Sequence, residues 1–152
     1  MPIPASASDE ILEITAPSGL NSLGELIGMG NTGDIVASID GSITCHGYSG
    51  YTLTIKSDKV GGYLESVSSP GTFLNQPLLV TSTLIKNDGG DVANNGHPNA
   101  QAVDTSGFEI GSGASSDNGT NNITLSVKQS RQAIATVPGT YKITLIWTVE
   151  AN

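Results

Sequence analysis

The chain has 152 residues, of which 37% are hydrophobic and 13% are charged, and its formal net charge is −8. This length and apolar content predict one domain with a single core. Only 6 residues are basic, which excludes DNA and RNA as partners because phosphate recognition requires a basic surface. No apolar run approaches the roughly 20 residues that a membrane-spanning helix needs, so no membrane span is predicted.

The solvated surface is predicted to consist mainly of neutral polar residues, because Gly, Ser, Thr and Asn are abundant and charges are few. This composition is typical of proteins that work outside the cell, and we predict a secreted or cell-surface location. Residues 5–7, Ala-Ser-Ala, have the small-x-small form of a signal-peptidase site. We interpret residues 1–8 as a signal-peptide remnant or a flexible tail, and residues 9–152 as one β-sandwich domain.

The first predicted element is a strand over residues 9–16, although its apolar spacing also suits a short helix. In the strand, Leu12, Ile14 and Ala16 lie on one face. Residues 17–19, Pro-Ser-Gly, separate this segment from the body. The segment is therefore predicted to be a detachable strand that lies in a neighbouring molecule, and pairing within its own sheet is the alternative.

Alternation with a period of two dominates the rest of the chain, as expected for half-buried strands. Residues 35–45 alternate on either side of a kink predicted at Gly41, and residues 51–55 repeat the pattern. Residues 78–86 carry apolar groups on both faces, which is typical of a central strand. Residues 123–127 alternate again.

The closing strand shows the clearest alternation, and its five apolar side chains are predicted to turn toward the core. They are Tyr141, Ile143, Leu145, Trp147 and Val149. About eight to nine short strands separated by frequent turns predict an all-β fold, an antiparallel immunoglobulin-like Greek-key β-sandwich.

No enzyme activity is predicted. Ser49 lies in a stretch one glycine short of a nucleophile elbow, and His97 with Asp91 or Asp104 could complete a triad. A nucleophile elbow requires a helix after the serine, whereas a strand is predicted there. We therefore expect no catalytic residues.

No cofactor and no metal site is predicted. Residues 28–33 fit the spacing G-x-G-x-x-G, but a strand follows them instead of the helix that would bind pyrophosphate. Cys45 and His46 point to opposite faces of a strand and cannot easily chelate one zinc ion. Residues 87–95 offer oxygen ligands of the kind calcium favours, without EF-hand spacing, and are interpreted as a solvated loop.

Two stretches resemble strands of bacterial surface proteins. Residues 137–149 look like a closing strand in which Gly-x-Tyr opens a Thr-rich run, and residues 50–55 are similar to strands of pilus and spore-coat-U-like subunits. This resemblance implies a structural subunit that polymerises by strand donation with copies of itself or related subunits. Leu12, Ile14 and Ala16 of a neighbour would then fill an apolar groove. Cys45 is the only cysteine, so the disulfide of many such subunits cannot form.

A second resemblance is to the WxL cell-wall-binding domain. The spacing of Tyr141, Leu145, Trp147 and Val149 is similar to its closing motif, but Trp147 is the only Trp of the chain and the first motif is missing. This resemblance implies the alternative function, a secreted module that binds cell-wall glycan.

Overall fold

The computed structural model describes residues 11–17, 33–86, 96–114, 119–130 and 139–152. These residues form a nearly all-β structure, which confirms the predicted fold class. Val60–Gly62 form a single 3-10 turn. The strands are β1 Ile11–Thr15, β2 Asp34–His46, β3 Gly50–Ser57, β4 Glu65–Ser66, β5 Leu79–Lys86, β6 Gln101–Ala102, β7 Phe108–Ala114, β8 Gly119–Ser130, β9 Tyr141–Lys142 and β10 Leu145–Ala151.

The strands form two main sheets in which every pairing is antiparallel. The large sheet has the order β1-β2-β8-β5-β6, and the small sheet has the order β10-β3-β7. A two-stranded end ribbon of β4 and β9 continues the β3–β10 ladder beyond the ends of those strands. The orders β1-β2-β8-β5 and β3-β10 correspond to strands A-B-E-D and C-F of an immunoglobulin-like sandwich.

The core lies between the inner faces of the two sheets. Along β3, Tyr51, Leu53 and Ile55 are fully buried, and the threonines between them face outward. The period-two pattern therefore identified the inner face of this strand correctly. The remaining buried apolar residues are Ile43, Cys45, Leu64, Leu74, Leu78, Val80, Leu84, Val103, Ile110, Ile123, Leu125 and Val127.

Each end of the core contains a buried polar contact. At the upper end, where β2 ends and β3 begins, the Asn121 side-chain amide donates to the Tyr51 hydroxyl at 3.1 Å. At the lower end, where β3 ends and β10 begins, the buried Gln129 amide donates to the Gln76 carbonyl oxygen at 3.0 Å. These contacts satisfy amide N–H groups that would otherwise be costly to bury, whereas the Gln129 side-chain oxygen has no hydrogen-bond partner among the described residues.

Strand β2 is not interrupted at Gly41, where the kink is predicted. Its register with β8 does not shift there. The glycine serves another purpose, because a Cβ atom there would overlap the Thr15 carbonyl oxygen and the Pro17 ring. Pro17 is buried, so after β1 the chain passes over the inner face of β2, which only a residue without a side chain permits.

Candidate functional site

One long edge of the sandwich, between β5 and β7, is closed by polar contacts around Ser82. The Ser82 hydroxyl donates to the Ile110 carbonyl oxygen and accepts from the His97 backbone N–H at 2.8 Å. The Ser82 backbone N–H donates to the His97 carbonyl oxygen at 2.9 Å. Gly96 bridges to Gly111 of β7, so the chain at residues 96–97 connects the two sheets.

The opposite long edge is built from β1 of the large sheet and β10 of the small sheet. Among the described residues, β1 pairs only with β2, and β10 pairs only with β3. The two strands lie next to each other across the sandwich. Each is an edge strand with a free row of backbone donors and acceptors in the described part of the chain, and such a row can pair with another strand.

The inward side chains at this open edge are apolar and only half-buried. They contact the core cluster but keep part of their surface in solvent, whereas Tyr51, Leu53 and Ile55 of the neighbouring β3 are fully buried. Burial of the remaining surface would be favourable, because apolar area removed from water contributes about 25 cal/mol per Å². The half-buried inward residues are Leu12 and Ile14 of β1, Ala37 and Ile39 of β2, and Leu145, Trp147 and Val149 of β10.

The predicted donor segment is a strand of its own large sheet in the isolated chain. Residues 11–15 pair with β2 in the register Ile11 opposite His46 to Thr15 opposite Ser42. Leu12 and Ile14 turn inward, and Glu13 is exposed. This region is therefore a strand and not the alternative helix, and Ala16 follows its end. Donation to a second molecule stays a prediction.

The five apolar residues of the closing strand all face inward and contact the core cluster, but none is fully buried. Tyr141 belongs to β9, and the strand is interrupted before Leu145. The interruption occurs because the pairing partner changes from β4 to β3. Periodicity alone missed the open edge, since a central strand and an edge strand show the same alternation.

The residues considered for a catalytic triad have other contacts. The Ser49 hydroxyl donates to the Asn152 carbonyl oxygen at 2.7 Å, and the His97 ring packs against Phe108 with centroids 4.8 Å apart. Asp104 accepts hydrogen bonds from the backbone N–H groups of Gly61 and Thr105, which lower its pKa. The fourth candidate, at position 91, lies outside the described residues.

The structure describes only some of the residues considered for metal and nucleotide sites. Cys45 is buried, and this burial raises the pKa of its thiol, whereas His46 is exposed. The described ranges contain no group of three or more His, Cys, Asp or Glu side chains suited to a metal ion. The loop 87–95 and most of the glycine-rich stretch 28–33 lie outside the described residues. No helix in the described part of the chain is long and apolar enough to cross a membrane.

No protein-family model and no curated protein matches the chain. A solved chain from a chaperone–tip adhesin complex of CFA/I fimbriae biogenesis is similar in structure, with a TM-score of 0.53 and 15% sequence identity. The similarity covers 93% of this chain but 41% of that chain. At this identity the similarity shows the fold alone, and it agrees with the immunoglobulin-like sandwich. Nothing in the comparisons supports the WxL resemblance.

Proposed function

We propose that the chain is a structural subunit of a bacterial cell-surface filament, pilus-like or fimbria-like, or of a coat, and that copies of it join by β-strand donation. The observation that carries this proposal is the open edge between β1 and β10. Apolar inward side chains stay half-buried there, and neither strand has a second pairing partner among the described residues. The similar fold of a chain from a fimbrial complex supports it. The subunit is secreted, resides at the cell surface and has no enzymatic role.

The acceptor in this proposal is the free edge of β10. In an immunoglobulin-like sandwich the position beside strand F belongs to a seventh strand, G, and no described residue occupies it here. A strand added there would pair with the backbone of β10 and cover Leu145, Trp147 and Val149. Its main-chain hydrogen bonds would provide affinity, and its alternate side chains would provide specificity.

The donor in this proposal is residues 9–16 of a neighbouring copy. Leu12, Ile14 and Ala16 form the apolar face that suits the open edge, and Glu13 lies on the opposite face. In the isolated chain the described part of this segment pairs with its own β2 over five residues. A short edge strand separates from its sheet at a low free-energy cost. When residues 9–16 leave their own β2 and pair with a neighbour, the contacts they lose are replaced by new contacts at the neighbour's edge.

The glycan-binding alternative has no specific observation in its favour. Such modules stack sugars on exposed aromatic rings, but Tyr51 is fully buried, Trp147 faces the core, and Phe73 presents the single exposed Phe, Tyr or Trp ring in the described part of the chain. We therefore retain strand donation as the single proposed function.

Trp147, the only Trp of the chain, gives a direct test. A peptide of residues 9–16 is titrated into the full-length protein, at a protein concentration below that at which it assembles, while the Trp147 emission is recorded. A strand beside β10 removes water from the indole, so the emission shifts to shorter wavelength in a saturable way. The peptide with Leu12→Asp and Ile14→Asp gives no shift, and the matched peptide with Glu13→Lys, changed on the opposite face, shifts the emission like the original.

The same samples are examined by negative-stain electron microscopy. The full-length protein forms filaments or linear oligomers, and excess peptide shortens them because it occupies acceptor edges. A protein that stays monomeric at all concentrations and whose emission ignores the peptide would disprove strand donation.

A further inference from the structure

A close contact between Pro17 and Gly41 helps to hold the donor segment in its own sheet. The last residue of β1 that pairs with β2 is Thr15, and Pro17, two residues later, is buried. The Pro17 nitrogen and Cδ both come within 2.7 Å of the position that a Cβ on Gly41 would take, and the Thr15 carbonyl oxygen overlaps it. This Pro17/Gly41 contact therefore exists only because residue 41 has no side chain.

The burial of inward side chains along β2 changes at this contact. Ile43 and Cys45 pair with β1 and are fully buried. Beyond Gly41, where β1 has ended, Ala37 and Ile39 on the same inner face are only partly buried. Among the described residues, β1 and the proline after it therefore cover this edge of the core only from Gly41 to the upper end. Release of β1 would cost free energy, because it exposes apolar area at Ile43 and Cys45.

The face of the segment that packs in its own sheet is also the face that strand donation requires. Leu12 and Ile14 pack against the core cluster of their own molecule, and Ala16 is half-buried just before Pro17. One segment cannot fill its own sheet and a neighbour's edge at the same time. Only copies whose β1 has left β2 can donate, so the apparent affinity between copies is reduced in proportion to the fraction of such copies.

We propose that the Pro17/Gly41 contact is autoinhibitory: it keeps the donor segment in its own sheet and so sets the concentration at which copies of this chain assemble. This inference rests on the proposed function, in which residues 9–16 are the donor and a second copy of the chain competes for them. Proline suits this role, because its ring has almost no side-chain entropy to lose when it is buried.

The test compares the full-length variant Gly41→Ala with wild type by sedimentation velocity over a range of concentrations. The added methyl group displaces Pro17, so a larger fraction of copies has a free donor segment. We expect assembly to begin at a concentration at least about fivefold lower than in wild type. Hydrogen exchange on dilute, monomeric samples should show that residues 11–15 have lost protection.

The matched control is Gly113→Ala, a second strand glycine without a positive φ. A Cβ on Gly113 would overlap the Tyr51 ring, so this substitution strains the core from β7, which pairs with neither β1 nor β10. It is expected to lower the melting temperature and to assemble at the wild-type concentration. A second test variant, Pro17→Ala, removes the ring and leaves β2 unchanged. It should assemble early like Gly41→Ala, and it replaces that variant if Gly41→Ala does not fold.

The outcomes separate the autoinhibitory contact from strand donation. Assembly of Gly41→Ala at wild-type concentrations would overturn the contact, and strand donation stands if peptide 9–16 still shifts the Trp147 emission of wild type. Equally early assembly of Gly113→Ala would also overturn it, because general destabilisation would then explain the effect. If wild type ignores the peptide but Gly41→Ala and Pro17→Ala alone assemble early, donation to β10 is refuted and the contact is supported.

Discussion

Replacement of Gly41 by alanine tests whether β1 is held by the close passage of Pro17 over β2. An ideal Cβ at position 41 would lie 2.6 Å from the Pro17 nitrogen and 2.7 Å from Pro17 Cδ, and it would also overlap the Thr15 carbonyl oxygen. These contacts are with backbone and a proline ring, which cannot rotate away. The end of β1 and Pro17 must therefore shift, or β1 must separate from β2.

The size of the effect follows from what β1 contributes. Full burial of an aliphatic side chain is worth about 1.5–3 kcal/mol, so half-buried Leu12 and Ile14 together contribute about 2 kcal/mol. Forced shifts in packed regions cost about 1–3 kcal/mol. We expect Gly41→Ala to lower the free energy of unfolding by about 1–3 kcal/mol.

Urea denaturation of the full-length protein measures this free energy, and hydrogen exchange with mass spectrometry localises the change. Residues 11–15 are expected to lose protection, while β3 keeps its protection because its core contacts are untouched. The sign of the stability change is itself diagnostic. Gly41 has no positive φ, so without the steric contact an alanine would stabilise the protein by about 0.4–1 kcal/mol through the unfolded state. A neutral or stabilising Gly41→Ala would refute the role assigned to this passage.

Two further predictions concern the closed edge and the loops at the lower end. Ser82→Ala leaves the carbonyl oxygen of Ile110 and the N–H of His97 without their hydroxyl partner, so urea denaturation should show a loss of about 1–3 kcal/mol; an unchanged midpoint would contradict this. The Asp104 carboxylate accepts hydrogen bonds from the backbone N–H groups of Gly61 and Thr105. These hydrogen bonds lower the pKa of Asp104 in the folded protein below its unfolded value. The contribution of Asp104 to the free energy of unfolding is therefore complete at pH values above the unfolded pKa, and it is lost as the pH falls through the folded pKa. The melting temperature of the wild-type protein should fall more steeply between about pH 5 and pH 2 than that of Asp104→Asn. Equal slopes would contradict this role of Asp104.

The alternation of single segments could be predicted because it is a local property of the sequence. Tyr51, Leu53 and Ile55 must lie on one face of any extended strand, and so must the five apolar residues of the closing strand. Five inward apolar residues in a Thr-rich chain also favour a sandwich over any helical fold. For this reason the all-β class and the orientation of these strands follow from the sequence by itself.

Only the tertiary structure decided how deeply each of these faces is buried. Trp147 and Tyr51 show the same alternation, yet within the described ranges β10 lies at an edge and β3 lies between β10 and β7. The neighbours of a strand are residues far away in the chain, and the pairing of β10 with β3 joins residues that are 88 (Leu145 and Ser57) to 100 (Ala151 and Tyr51) positions apart. Gly41 is a similar case. Only a residue without a side chain fits at this position, because Pro17 passes close over it. Local periodicity contains no information on such contacts, so the open edge that carries the proposed function became visible only when the strands were assembled.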